Sequence, residues 1–296
     1  MFYKQSINRK LFVWVNAAAL TFITLIGIVP FIHLLAVSLS SNTAAMAGEV
    51  KLIPIGITLD AYDYLIHKVE FLRSLVVSLK RVVLGTAINM FLVFITAYPL
   101  AKSTEQFRAR TAYVWFFAIT IFLGGGLIPT FIIVKETGLI NSIWALILPG
   151  ALNVWNMIMM LNFFRGIPKE MEEAATIDGA GHWVLLWKIY LPVSLPSIAT
   201  IGLFTVVGHW NSWFDGILYM NSPENYPLQT YLSTLITAMN AQIQSISVEQ
   251  LKALENLSEK TLRTAQIFMG ALPILMVYPF LQKYFIKGMT VGSVKE

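Results

Sequence analysis

The residues best suited to specific chemistry lie between Pro168 and Pro192. Glu173-Ala174-Ala175 is followed after three residues, the last of them Asp178, by Gly179, and Ile189-Tyr190-Leu191-Pro192 begins nine residues later. This set holds no nucleophile beside a base and no metal-ligand spacing, so it offers recognition instead of bond breaking. Pro168 is placed to start a helix, because its fixed φ suits the first turn and its missing N–H is not needed there. Glu170, Glu172 and Glu173 load that turn with charge that favours the helix dipole. Ala174 and Ala175 continue it with small side chains. Gly179 and Gly181 supply freedom for positive φ to end it. A second helix over about 182–190 is expected to place Trp183, Leu186, Trp187 and Tyr190 on one face. The product is a short helix, a hinge and another short helix, which can sit in a groove of a partner with Glu173 facing a cation. The plainer reading is a surface hairpin with ordinary glycine caps.

Two other groups stand out. The run 196–220 is apolar except for His209, Trp210, Asn211, Trp213 and Asp215, the kinds of side chain that grip sugars by ring faces and hydrogen bonds. An ionisable group inside a span points to function by default, although the tryptophans also suit an interfacial belt and Asp215 also suits a structural partner for a cation in another chain. Lys80 and Arg81 lie in the outer half of a long apolar run. They are expected either to meet an acidic glycan or, more plainly, to snorkel or pair with a carboxylate.

These residues sit in a chain of 296 residues that is 56% hydrophobic and 12% charged, with mean hydropathy +0.67. Soluble domains average roughly 25% charged residues, so lipid is the expected solvent. Six spans are predicted, at about 11–39, 73–101, 110–134, 142–163, 196–220 and 265–285, with the first retained and not cleaved as a signal peptide. A closed barrel is disfavoured because the apolar segments run continuously. With both termini inside, 12 of the 21 lysines and arginines fall in cytoplasmic segments, as the positive-inside rule asks. The same topology puts the Glu173 loop in the cytoplasm. An Asp60-to-His67 helix and an amphipathic helix over 240–263 are expected in the two long external loops. Cysteine is absent, and His33, His67, His182 and His209 share no ligand spacing, so no metal site or catalytic set is expected. The scattered cations do not suggest nucleic acid. An ion-coupled carrier needs midplane carboxylates and usually a repeat; Asp215 is the only obvious intramembrane acid and no repeat is found.

The Glu173–Pro192 pattern resembles the cytoplasmic loop by which ABC-importer permeases engage their ATPase. Asn162-Phe163-Phe164-Arg165-Gly166-Ile167-Pro168, Trp210-Asn211-Ser212-Trp213-Phe214-Asp215, Tyr226-Pro227-Leu228-Gln229-Thr230-Tyr231-Leu232 and the ending from Gln282 to Lys295 extend the likeness over nearly the whole chain. The chain is similar to the smaller membrane subunit of the maltose and multiple-sugar class, in particular the subgroup for complex oligo- and polysaccharides. That resemblance implies an all-α, six-span, N-in/C-in permease forming one transmembrane domain over 1–296, in a bacterial cell membrane. It implies a homologous sister permease, a dimeric ATPase and an extracytoplasmic sugar-binding protein as partners, with ATP and Mg on the ATPase and no cofactor on this chain. Glu173, Ala174, Ala175, Asp178 and Gly179 would couple to the ATPase from within the loop 164–195, with the tail residues Gly292 and Lys295 as a further contact.

Overall fold

The structure, a computed structural model, describes residues 7–242 and 260–276, with no strand among them. These residues form two compact units. One is the chain up to Val69 with the described part of Thr237–Leu272; the other is Glu70–Ile236 with the described residues from Pro273. In the first unit, α1 (Ile7–Ser38) runs for 32 residues and buries only Ala36, Val37 and Ser38. An apolar helix with so little protein cover belongs where lipid or another chain replaces water. Beyond it, Ser40 Oγ donates to the Ala36 carbonyl (2.6 Å) and accepts from the Ile55 amide (3.0 Å), enclosing α2 (Asn42–Ala47). The expected short helix forms as α3 (Asp60–His67), held by buried Leu65 and by the Tyr62–Ser38 hydroxyl pair at 2.7 Å.

The second unit is organised on α4 (Val69–Ala101). Its buried Ser74, Ser78, Arg81, Gly85, Asn89, Val93 and Ala97 recur every three or four residues, the spacing of one helical stripe. The first half of the stripe is polar and the second apolar. Three predicted spans prove to be interrupted. Span 110–134 is α5 (Arg110–Phe122) and α6 (Leu127–Glu136), bent by 112° across three successive glycines, with Gly126 at φ +79°. Span 142–163 is α7 (Ile143–Ile147), prolonged by a 3-10 turn to Gly150, and α8 (Val154–Arg165), bent by 49°. Asn153 caps α8 by accepting from the Asn156 amide at 3.0 Å.

The loop 164–195 forms α9 (Lys169–Ile177) and α10 (His182–Val193). Span 196–220 is α11 (Leu195–Asn211), a break at Ser212-Trp213, and α12 (Phe214–Tyr219). Then comes α13 (Leu228–Gln242). A last described helix covers 260–276. It includes the start of the sixth predicted span, whose remainder lies outside the described residues, as does most of the helix expected over 240–263. Thus α1 and α4 are each long and apolar enough to cross a hydrocarbon core, and the pairs α5–α6, α7–α8 and α10–α11 reach that standard together.

The main core joins Val93, Phe94 and Ala97 of α4 to Met157, Met160 and Phe164 of α8, Leu185 and Leu186 of α10, and Ile201 of α11. A smaller cluster packs Val134, Ala145 and Leu146 against Tyr219 and Met220. Beside it Asn141 adopts φ 60°. Its Oδ1 accepts from the Ser222 amide (3.2 Å) and Asn225 Nδ2 (3.1 Å), while its own amide donates to the Tyr219 carbonyl at 2.8 Å. Close approach also matters at Gly216 of α12, where a Cβ would collide with the buried side chain of Thr230 on α13. Thr230 is held there by a 2.8 Å bond to the Trp213 carbonyl, so it cannot retreat freely. Gly216→Ala is expected to cost about 1–3 kcal/mol through overpacking, seen as a lower unfolding temperature of the detergent-solubilised chain. Unchanged thermal stability would show that the α12–α13 contact is loose.

Candidate functional site

Helix α9 is entered through Pro168, which occupies the N-cap position (φ −56°, ψ 133°), one place earlier than expected, so Lys169 takes the first helical position. The helix ends in a Schellman motif: Gly179, at φ +83°, donates to the Thr176 carbonyl (3.0 Å) and Ala180 to that of Ala175 (2.9 Å). Gly181 is not left-handed; it is extended at the start of α10 (φ −76°, ψ 168°). Glu173, Ala174, Asp178 and Gly179 are exposed, whereas Ala175 is half-buried against the main core. Ile177 is 86% exposed, an apolar tip on a polar helix and a residue that sequence spacing did not single out.

The face expected for α10 is corrected. Trp183 and Trp187 are exposed, while Leu185, Leu186, Tyr190 and Leu191 are buried. The cause is a π-helical stretch at Leu185–Tyr190. Its wider turn moves Leu185 into line with Tyr190 and rotates the tryptophans outward.

Behind α9 lies a site whose members were read only singly from the sequence. Glu172 turns inward, and its carboxylate meets Lys102 Nζ at 2.7 Å just past the end of α4. The Tyr190 hydroxyl donates to Glu172 at 2.5 Å and accepts from Lys102 at 3.1 Å. The ammonium also lies over the rings of Tyr98 (4.2 Å) and Tyr190 (4.5 Å). Burial alone would raise the Glu172 carboxyl, but hydrogen bonds from Lys102 and Tyr190 outweigh it and hold the group below the ordinary carboxylate range. Burial also lowers Lys102, with Glu172 pulling the other way. The Tyr190 phenol is pushed up by burial and then by its bond to Glu172. Glu172 is thereby favoured as the carboxylate, and desolvation of the ammonium offsets part of the attraction within the pair. Nearby, Arg110 and Arg165 both donate to the Leu100 carbonyl (3.0 and 3.4 Å), tying the start of α5 and the end of α8 to the end of α4. A cleft of about 1050 Å³ opens here, bordered by Arg165, Lys169, Glu172, Glu173 and Ile177.

The structure separates Lys80 from Arg81. Lys80 is exposed, but Arg81 is 3% exposed on the buried stripe, since adjacent helical residues face different directions. Arg81 forms a two-point pair with Asp215, with Nη1 to Oδ1 at 3.1 Å and Nη2 bonded to Oδ2. It also donates to the carbonyls of Ser212 (3.4 Å) and Leu146 (3.3 Å). Asp215 Oδ1 further accepts from Ser212 Oγ and the Gly216 amide, both at 2.9 Å. The plainer expectation, pairing with a carboxylate, is met by Arg81, whose charge is matched within the chain, while Lys80 stays exposed. His209 packs so closely on Gly85 that a Cβ there would lie 2.5 Å from its Nε2. Trp210 is buried, while Asn211 and Trp213 are exposed at the α11–α12 break. Gly292 and Lys295 lie outside the described residues. Among the described residues no group of three or more acidic or histidine side chains is arranged for a metal.

Residues 81–291 match the family model of the binding-protein-dependent transport system inner membrane component. The chain belongs to this family. The permease is 38% identical over 288 residues to the polygalacturonan/rhamnogalacturonan transport system permease protein YtcP of Bacillus subtilis, covering 97% of this chain and 99% of that protein. It is 40% identical over 275 residues to protein LplC of the same organism, covering 91% and 90%. Among solved structures it is similar to a bacterial ABC transporter involved in import of the acidic polysaccharide alginate, at 31% identity and TM-score 0.86, over 96% of this chain and 100% of that one. The permease is therefore a transport subunit and not an enzyme, and an ion-coupled carrier finds no support among these relatives.

The Glu172 site makes a pH-dependent contribution to stability. A carboxyl depressed in the folded state stabilises fully above its unfolded value, about 4.3, and that stability is lost as pH falls through the folded value. The unfolding temperature of the permease should therefore exceed that of Glu172→Gln at neutral pH, with the gap closing below about pH 4. A gap that stays constant on acidification would show that Glu172 is not the titrating partner of Lys102.

Proposed function

We propose that this permease forms half of the membrane pathway of an ATP-driven importer of acidic oligo- or polysaccharide fragments, delivered by an extracytoplasmic binding protein. The observation that carries the reading is the outward face of α9. Glu173, Ala174, Ile177 and Asp178 are exposed on a helix whose other side is pinned to the ends of α4 and α8. Such a face suits a protein groove, and ATPase attachment supplies the occupant. ATP and Mg then belong to a dimeric ATPase, and a homologous sister permease completes the pathway. The acidic class is supported by the names of two relatives, one for polygalacturonan and rhamnogalacturonan and one for alginate. Arg81 does not support it, being neutralised by Asp215. We assign Asn211 and Trp213, exposed where α11 breaks, to the sugar path, with Arg81, Asp215 and His209 holding the break in shape.

The six-span, N-in/C-in topology follows from cation placement and makes 1–296 one transmembrane domain in a bacterial cell membrane. The tail residues Gly292 and Lys295 complete the ATPase contact.

Affinity purification from gently solubilised membranes should recover a second permease and an ATPase with this chain. Glu173→Lys reverses the exposed charge, and Gly179→Pro forbids the positive φ that closes α9. Both should leave the chain folded while depleting the ATPase by roughly tenfold, the effect of losing about 1.4 kcal/mol of docking energy. Full ATPase recovery with both variants would remove α9 as the docking helix.

A further inference from the structure

Glu172 and Glu173 are neighbours with opposite surroundings: Glu173 is exposed, and Glu172 is directed into the protein. The Lys102 ammonium that Glu172 meets lies where four segments converge. These are the last turn of α4 through Tyr98, the end of α8 through Phe164, α9 through Glu172, and α10 through His182 and Tyr190. Tyr98 and Tyr190 stand edge to face at 5.0 Å, Phe164 and Tyr190 at 5.3 Å, and the Tyr98 hydroxyl reaches His182 Nδ1 at 3.2 Å. An apolar contact would hold these segments together without desolvating a charge. What a buried ion pair adds is a fixed register, because sliding one partner strands the other.

We propose that Lys102, Glu172 and Tyr190 form the mechanical link that passes displacement of α9 to α4. They are positioning residues for coupling, distinct from the docking face, and the proposal rests on the reading of α9 as the ATPase-docking helix. Ala175 and Ala180, which also contact the core, are small enough to slide. The Lys102–Glu172 pair is not, since α9 cannot move along α4 without taking from the buried Lys102 ammonium its carboxylate. Beside Lys102, α4 runs as one helical element from Ala101 back to Arg81, with Pro99 in its last turn. Displacement at one end is therefore delivered to the Arg81–Asp215 pair and the α11–α12 break.

The chain has no native cysteine, so paired labels can be placed cleanly at Val83→Cys on α4 and Ile26→Cys on α1, which has no share in the core around α9, both exposed. The whole importer is reconstituted in nanodiscs, and the label distance is measured without nucleotide and with ATP trapped by vanadate. The parent should shift by roughly 2 Å, the scale of helix displacements in such transitions. Lys102→Met and Glu172→Gln should retain the ATPase and lose the shift, while Lys102→Arg, which keeps the charge, restores it. Tyr190→Phe keeps the ring and removes only the bridging hydroxyl. It should lower the shifted fraction roughly threefold, and it carries the test if a charge variant fails to fold.

A shift that persists in Lys102→Met, Glu172→Gln and Tyr190→Phe overturns the link. So does loss of the ATPase from these variants, which would make the three residues part of docking. A parent that holds its ATPase but shows no shift overturns the link alone; a parent that holds no ATPase overturns the docking reading itself.

Discussion

Two buried cations, one on α4 and one just beyond its end, set the terms for the second unit. Arg81 lies on the polar half of α4 and Lys102 just beyond its end, 3% and 7% exposed. At 1.5 Å per residue they are roughly 30 Å apart, close to the thickness of a hydrocarbon core. Each charge in an apolar interior needs a carboxylate to offset its desolvation, and each finds one on a distant segment, Asp215 and Glu172. Removing either partner would leave an uncompensated buried charge, typically at a cost of about 3–5 kcal/mol.

The irregular geometry around both sites follows from that requirement. The fifth predicted span breaks at Ser212 because its polar residues are drawn to Arg81. The Ser212 carbonyl, released where α11 ends, accepts from the guanidinium, and Asp215 begins the next helix with its carboxylate turned to the same group. At the other end, the π-helical stretch of α10 brings Tyr190 between Lys102 and Glu172 while keeping Leu185 and Leu186 in the core. The end of α4 is closed by Arg110 and Arg165, which share the Leu100 carbonyl. Helix α9, nine residues long with no fully buried side chain, is thereby held on a rigid base.

Much of this was legible in the chain. The short α3 helix, the hinge at Gly179 and the exposed Glu173-Ala174 face follow from local rules of propensity, capping and charge. The inward role of Glu172 was not legible, because its first-turn position already had a local explanation in the helix dipole. Lys102 was likewise accounted for as one cytoplasmic cation among many. The bends at Gly124–Gly126 and Gly150 escaped a hydropathy reading because an apolar run looks the same whether it is straight or folded on itself.

By itself, the sequence determined the membrane class, through composition and run length, and the family, through the Glu173–Pro192 spacing. Both are local or additive properties that need no knowledge of packing. Tertiary structure alone decided which of Lys80 and Arg81 would be buried and which acid each buried cation would meet. Those choices depend on the rotational phase of α4 against α8 and α11, set by the whole core. Arg81 and Asp215 are 134 positions apart, a separation across which no local rule operates.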